Sequence, residues 1–178
     1  MISKTRILTA LKSKTTFFFL LASLIYLFWF LLYELYIKPS TLLDEKIITN
    51  IVFTTKNLLE FFSYTVHYSI ENLNYQAISV NEAMPVLIGG PCDGVSIMAI
   101  FFIFVAAYPG SQLHKLWFIP IGILLIHFIN IIRVASLTLI CLYTPEYLEF
   151  NHNYTFTLIV YGFVFLLWMT WVNKFSRK

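Results

Sequence analysis

The chain has 178 residues, of which 59% are hydrophobic, 19% aromatic and only 12% charged, at a mean hydropathy of +0.77. A soluble domain carries about twice that charged fraction, and 18 Phe with 11 Tyr exclude general disorder. The 12 Lys and Arg form no basic stripe, which argues against a nucleic-acid partner, and Cys92 and Cys141 are too few for a disulfide scaffold or a zinc finger.

The composition therefore predicts an all-α integral membrane protein, and four apolar runs define about four transmembrane helices. Residues 1–15 form a basic tail with Lys4, Arg6, Lys12 and Lys14 and no acid. Residues 16–37 form the first span, about 33 Å as a helix. Basic residues precede it as in a signal peptide. The apolar part is long, however, and no small-x-small cleavage site follows Leu32, so it reads as a retained anchor. Residues 38–93 make an outer loop too long to be only a connection. In its first half Ile48, Ile51, Val52, Leu58, Leu59, Phe62 and Val66 recur at helical spacing, opposite Asn50, Lys56, Asn57 and Glu60. That pattern predicts an amphipathic helix lying on the membrane or against the spans. In the second half, Tyr75, Ile78 and Val80 precede Asn81-Glu82, and Val86 and Ile88 follow it. This partial alternation fits a short β-hairpin, with Pro85 confining its strand to an edge.

Residues 94–178 carry the remaining spans. Residues 94–108 give only about 22 Å of helix and need help to cross, with the residues from Val86 onward dipping into the interface. Residues 116–143 are interrupted by His127, Asn130 and Arg133, and residues 155–172 form the last span. The positive-inside rule sorts every segment with both termini in the cytoplasm. The basic tail, Lys115, and Lys174, Arg177 and Lys178 then lie inside. Asp44, Glu45, Glu60, Glu71, Glu82, Asp93, Glu146 and Glu149 lie outside, with Lys38, Lys46 and Lys56.

Three polar positions stand out against this background. Arg133 lies inside an apolar run, about 15 Å below the outer end of its helix. An intramembrane arginine costs several kcal/mol and marks a functional site by default; the alternative is a structural charge paired with Asp93 or Glu149. Asn130, one turn earlier on the same face, would orient the guanidinium or a substrate. His127 is deeper and suits a hydrogen bond between helices. Cys92 sits in Gly89-Gly90-Pro91-Cys92-Asp93-Gly94, where Pro91 suits a first helical turn and the macrodipole favours a thiolate. Asp93 works against that charge. The alternative for Cys92 is a small interfacial residue or a disulfide partner of Cys141, itself in a plain apolar stretch. His152, in Asn151-His152-Asn153, lies at the outer mouth of the last span. The topology thus draws Cys92, Arg133 and His152 toward one outer pocket. A thiolate, a proton carrier and an oxyanion stabiliser together suit acyl transfer through a thioester.

Cys92-x-Gly94 before a span, Asn130-x-x-Arg133 within the next and His152 at the entrance of the last resemble the exosortase/archaeosortase family. The likeness covers residues 75–171. It implies a membrane-embedded cysteine transpeptidase, in the hydrolase and protease class, that cleaves a C-terminal sorting signal of exported proteins. That signal is a short motif, a transmembrane helix and a basic tail, and the product passes to a cell-surface acceptor. The resemblance makes Cys92 the nucleophile, Arg133 the oxyanion or substrate-binding group and His152 the acid/base, supported by Asn130, Gly94 and Asp93. The chain departs from the family in having fewer spans than larger members, and Asp93 where Ser usually follows the cysteine. Its size resembles the compact exosortases of Gram-negative bacteria. That implies a bacterial inner membrane, with the active site on the periplasmic side.

Partners under this reading are sorting-signal proteins, the acceptor and the lipid bilayer. The substrate helix would pack laterally against small residues such as Gly122 or Ala135-Ser136. No cofactor is expected, and His67, His114, His127 and His152 fall on different elements and sides, against a metal site. A quinone-linked thiol oxidoreductase would need paired redox cysteines, which are missing. The remaining alternative is a non-enzymatic accessory or assembly protein, in which Arg133 makes a contact between helices or subunits.

Overall fold

The computed structural model describes residues 14–40, 42–72 and 75–176. Lys4, Arg6, Lys12, Arg177 and Lys178, which contribute to the charge pattern at the two ends, lie outside the described residues. The fold is mostly helical, with a three-stranded sheet, and three of its helical segments are long and apolar enough to cross a membrane: Thr15–Ser40, Gln112–Tyr143 and Pro145–Phe175.

Helix α1 spans Lys14–Leu32 and runs on through a wide π-type turn, Tyr33–Ile37, into Lys38–Ser40. It is apolar all round, and on one side Phe18 meets the rings of Phe104 and Tyr108. Pro39 explains the wide turn: proline lacks an N–H and clashes with the carbonyl four residues earlier, so the preceding turn opens. Helix α2, Leu42–Phe61, begins with Asp44 and Glu45 in its first turn, where acids complement the macrodipole. Its buried stripe is Asp44, Ile48, Ile51, Val52, Thr55 and Leu59, the i, i+4, i+7 rhythm of an amphipathic helix.

That stripe ends sooner than the sequence pattern predicts. The helix stops at Phe61, Ser63 takes a left-handed conformation (φ 66°), and Val66 opens a strand. Strands β1 (Val66–Asn72), β2 (Tyr75–Val80) and β3 (Val86–Gly89) form one antiparallel sheet in that order. Asn81, also left-handed (φ 52°), turns the chain between β2 and β3, and its backbone N–H and side-chain Oδ1 both bond to Thr65. The expected hairpin is therefore present with its turn at Asn81-Glu82, and Pro85 precedes an edge strand. The all-α expectation needs correction, because β1 adds a third strand. Val66, Tyr68 and Ile70 alternate with His67, Ser69 and Glu71 along it, yet Tyr68 and Ile70 are exposed, so the alternation does not mark a buried face.

Beyond the sheet, a single turn at Gly90–Cys92 leads to α3, Val95–Ala107. With 13 residues it is about 20 Å long, shorter than the hydrocarbon core of a bilayer. Helix α4, Gln112–Tyr143, has 32 residues, or about 48 Å, and carries Pro120 in its interior. The chain then stays helical from Pro145 through a π-type turn at Asn151–Thr155 into α5, Phe156–Thr170.

Two cores divide along α4. One half, Ile131, Val134 and Ala135, packs with Ile48, Ile51, Val52 and Leu59 of α2 and with Ile78, Val80 and Ile88 of the sheet. Gln76 Nε2 donates to Thr49 Oγ1 at 2.6 Å, which pins the sheet to α2. The other half, Phe118 and Ile126, packs with Phe101 and Val105 of α3 and with Val164 and Trp171. The amphipathic helix thus lies against the long helices, one of the two placements its pattern allowed. Gly122 is filled by the Phe101 ring, which occupies the place of its missing Cβ, and Ala135 is buried. Ser136 beside it is half-buried.

A cysteine–histidine pair as candidate active site

Cys92 closes the short turn after β3, and Asp93 and Gly94 set the start of α3. Gly94 is left-handed (φ +79°), a conformation that glycine adopts without a Cβ penalty. The Asp93 Oδ1 atom accepts the Val95 N–H at 2.8 Å, capping α3. Asn130 reaches across from α4 and donates from Nδ2 to the Cys92 carbonyl at 2.7 Å. A Cβ on Gly94 would meet that amide at 3.4 Å, an ordinary contact, so it is the positive φ that calls for glycine here. Asn130 therefore positions the cysteine backbone rather than the guanidinium of Arg133.

The wide turn at Asn151–Thr155 supplies the partner. His152 Nε2 lies 3.4 Å from Cys92 Sγ, across 60 residues of sequence. Its Nδ1 lies 3.1 Å from Asn153 Oδ1. An amide oxygen can only accept, so this contact places the proton on Nδ1 and leaves Nε2 free to receive one from the thiol. His152 was expected in a loop. It sits instead within a continuous helical segment, where the π-type turn inserts an extra residue and re-aims the side chains around it. Asn153 is the functional candidate that sequence reasoning missed. Only its position beside His152 signals it, and adjacent residues on a helix do not ordinarily face each other.

Arg133 is 8% exposed and close enough to Cys92 for its charge to pull the thiol toward ionisation. Its Nε has no hydrogen-bond partner, and no described carboxylate forms an ion pair with it. The pairing with Asp93 or Glu149 that a structural role would require is therefore missing among the described residues. A buried guanidinium without a counter-charge is costly, and a ligand oxygen carrying negative charge would offset that cost. Burial is the largest influence on Cys92 and raises its thiol above the ordinary range. Arg133 and a backbone bond at Gly89 oppose this, and Asp93 adds to it. Desolvation thus outweighs the helix-entrance effect anticipated from the sequence. Asp93 is 2% exposed. Burial pushes its carboxyl from 3.8 to about 7, against the lowering effect of the Val95 N–H and with some help from Asp44.

The other candidates lie elsewhere. His127 Nε2 bonds Asn50 Oδ1 of α2 at 2.8 Å, a bond between helices. Cys141 donates to the Met84 carbonyl at 3.2 Å, and both cysteines are free thiols. Among the described residues no group of three or more His, Cys, Asp or Glu side chains converges in a way that could hold a metal ion. Comparison with family models, curated proteins and solved structures finds no match.

Proposed function

We propose that the chain spans a bacterial inner membrane with both termini in the cytoplasm, and that it is an exosortase-like cysteine transpeptidase. Its substrates are exported proteins with a C-terminal sorting signal. The observation that carries this reading is the 3.4 Å approach of Cys92 Sγ to His152 Nε2 beside the unpaired Arg133. A thiol whose burial disfavours ionisation needs a base within reach, and the neutral imidazole nitrogen meets that need.

In the proposed reaction Nε2 takes the thiol proton as Sγ attacks the scissile carbonyl carbon. The Arg133 guanidinium faces the developing oxyanion. Such a donor contributes about 10²–10³-fold in rate when it acts on charge formed only in the transition state. The imidazolium then protonates the leaving amine and a thioester remains on Cys92. An acceptor nucleophile resolves it, returning the sulfur to the thiol. Asn153 holds the imidazole in the tautomer this cycle requires.

The test is substrate processing in cells producing wild type or Cys92→Ala, read as intact masses of surface proteins that end in a helix and a basic tail. Cys92→Ala leaves the tails attached while the protein still inserts, and the wild-type product mass identifies the acceptor. Equal removal in both strains would exclude Cys92 as the nucleophile and favour the accessory-protein reading.

A further inference from the structure

A cavity of about 420 Å³ adjoins the cysteine turn, lined by Tyr33, Glu34 and Lys38 from the end of the first helical segment, Asp44 of α2, Tyr75 of β2, and Gly90 and Ser96 beside Cys92. Its charges do not balance. Lys38 Nζ lies 2.9 Å from both oxygens of Glu34 and is engaged there. Asp44 has no cation partner among the described residues. Its Oδ2 accepts the Tyr33 hydroxyl at 3.0 Å, whereas Oδ1 has no hydrogen-bond partner although the residue is 8% exposed. A buried carboxylate that lines a cavity, with one oxygen undonated and no cation beside it among the described residues, costs free energy that a cationic ligand would offset. Gly90 adds a second, independent observation: a Cβ built there meets nothing within 4 Å, so the wall two residues before Cys92 is open.

We propose that this cavity is a binding site for a primary ammonium group, with Asp44 as its counter-charge and the Tyr33 hydroxyl and the Gly90 backbone as its walls. The acceptor role of that ligand rests on the transpeptidase reading above: the amine held here is the nucleophile that resolves the Cys92 thioester. The bound ammonium first gives up a proton to the Asp44 carboxylate paired with it. The neutral amine nitrogen then forms a C–N bond to the acyl carbon as the C–S bond breaks, yielding an amide. The sulfur leaves as thiolate and is reprotonated, and the nitrogen sheds its second proton, so one proton in all is released per ammonium consumed. Water at the same carbon would give the free acid instead.

The experiment uses n-butylammonium chloride as the probe with the full chain in detergent, titrated calorimetrically, so that binding is read without any turnover. Asp44→Asn keeps an acceptor for Tyr33 and removes the charge. Gly90→Met fills the cavity from its open wall and guards against an Asp44 variant that fails to fold. Both variants should weaken butylammonium binding by about tenfold or more, as expected for loss of a charge-assisted bond. n-Butanol, which has the same chain and no charge, should not compete. Equal affinity in wild type and both variants, or no binding to wild type, overturns the site.

In the processing assay, the ratio of amide to free-acid product should fall about tenfold in both variants. An unchanged ratio overturns the acceptor role. Comparison of free butylamine with a primary-amine lipid in nanodiscs then identifies which source of the group saturates the site. If wild type binds the amine but Cys92→Ala processes substrate normally, the transpeptidase reading fails and the ammonium site stands.

Discussion

Arg133 and Asp93 act on the same sulfur in opposite directions, and their effects separate by experiment. The guanidinium favours the Cys92 thiolate, so Arg133→Met should move the pH midpoint of Cys92 alkylation upward, with Arg133→Lys in between. Peptide-level mass spectrometry separates Cys92 from the buried Cys141. An unmoved midpoint would show that the charge does not reach the sulfur. Asp93 makes a stability prediction. Its carboxyl keeps a proton in the folded state up to about pH 7, whereas its ordinary value is 3.8. The unfolded chain therefore binds fewer protons between those values, and stability falls as pH rises through that window. The shift corresponds to at most on the order of 4 kcal/mol. Asp93→Asn retains an oxygen for the Val95 N–H and cannot titrate. Melting curves from pH 4 to pH 7 should slope downward for wild type and flatten for the variant. Parallel curves would remove Asp93 as the cause.

At the scale of elements, the site depends on four pieces that meet from different parts of the chain: the turn after β3, the middle of α4, the wide turn at residues 151–155, and α2 behind them. The contact of α3 with α4 sets how the turn faces the long helix, and in it the Phe101 ring lies over Gly122. Gly122→Ala forces that ring aside and should destabilise the fold by roughly 1–3 kcal/mol, the usual cost of overpacking. Reversible unfolding in mixed detergent would read the loss, and a wild-type midpoint would show that Phe101 moves freely. The amphipathic period of α2 was readable because one face had to be buried. Its C-terminal boundary was not, since Phe62 and Val66 continue the same period beyond the point where Ser63 turns the chain. Asp44 was also hidden: an acid on an apolar stripe looks like part of a solvated first turn until Tyr33 is seen against it.

For the whole molecule, α4 is about 48 Å long, well beyond an apolar thickness of about 30 Å. Its surplus is the half wrapped by α2 and the sheet, and Cys92 packs against that core beside the stretch of α4 that carries Arg133. In the proposed topology this is the outer boundary of the membrane. Glu82, exposed beside the Asn81 turn, then faces the periplasm. In a background where Cys92 and Cys141 are both alanine, Glu82→Cys should react with a membrane-impermeant maleimide in intact cells stripped of their outer membrane. Lys174→Cys should react only after lysis. The reverse pattern would invert the topology.

Composition determined that apolar helices dominate, because so few charges cannot cover a soluble surface. Periodicity placed α2 and the β2–β3 hairpin, since each must hide one face. The sequence also nominated Cys92, Arg133 and His152, because a charge or a thiol in such surroundings needs a reason. Tertiary structure alone decided the rest. It added β1, whose alternating Tyr68 and Ile70 stay exposed, and bent the histidine segment into a wide turn that no local propensity specifies. It assigned Asn130 to the Cys92 carbonyl and His127 to Asn50. Among the described residues it also left Arg133 without an acid, a fact about the space around a side chain rather than about its neighbours in sequence. Hydrogen bonds and burial between distant segments are set by packing, so the pairing of Cys92 with His152 could be read only once the folded chain had brought them together.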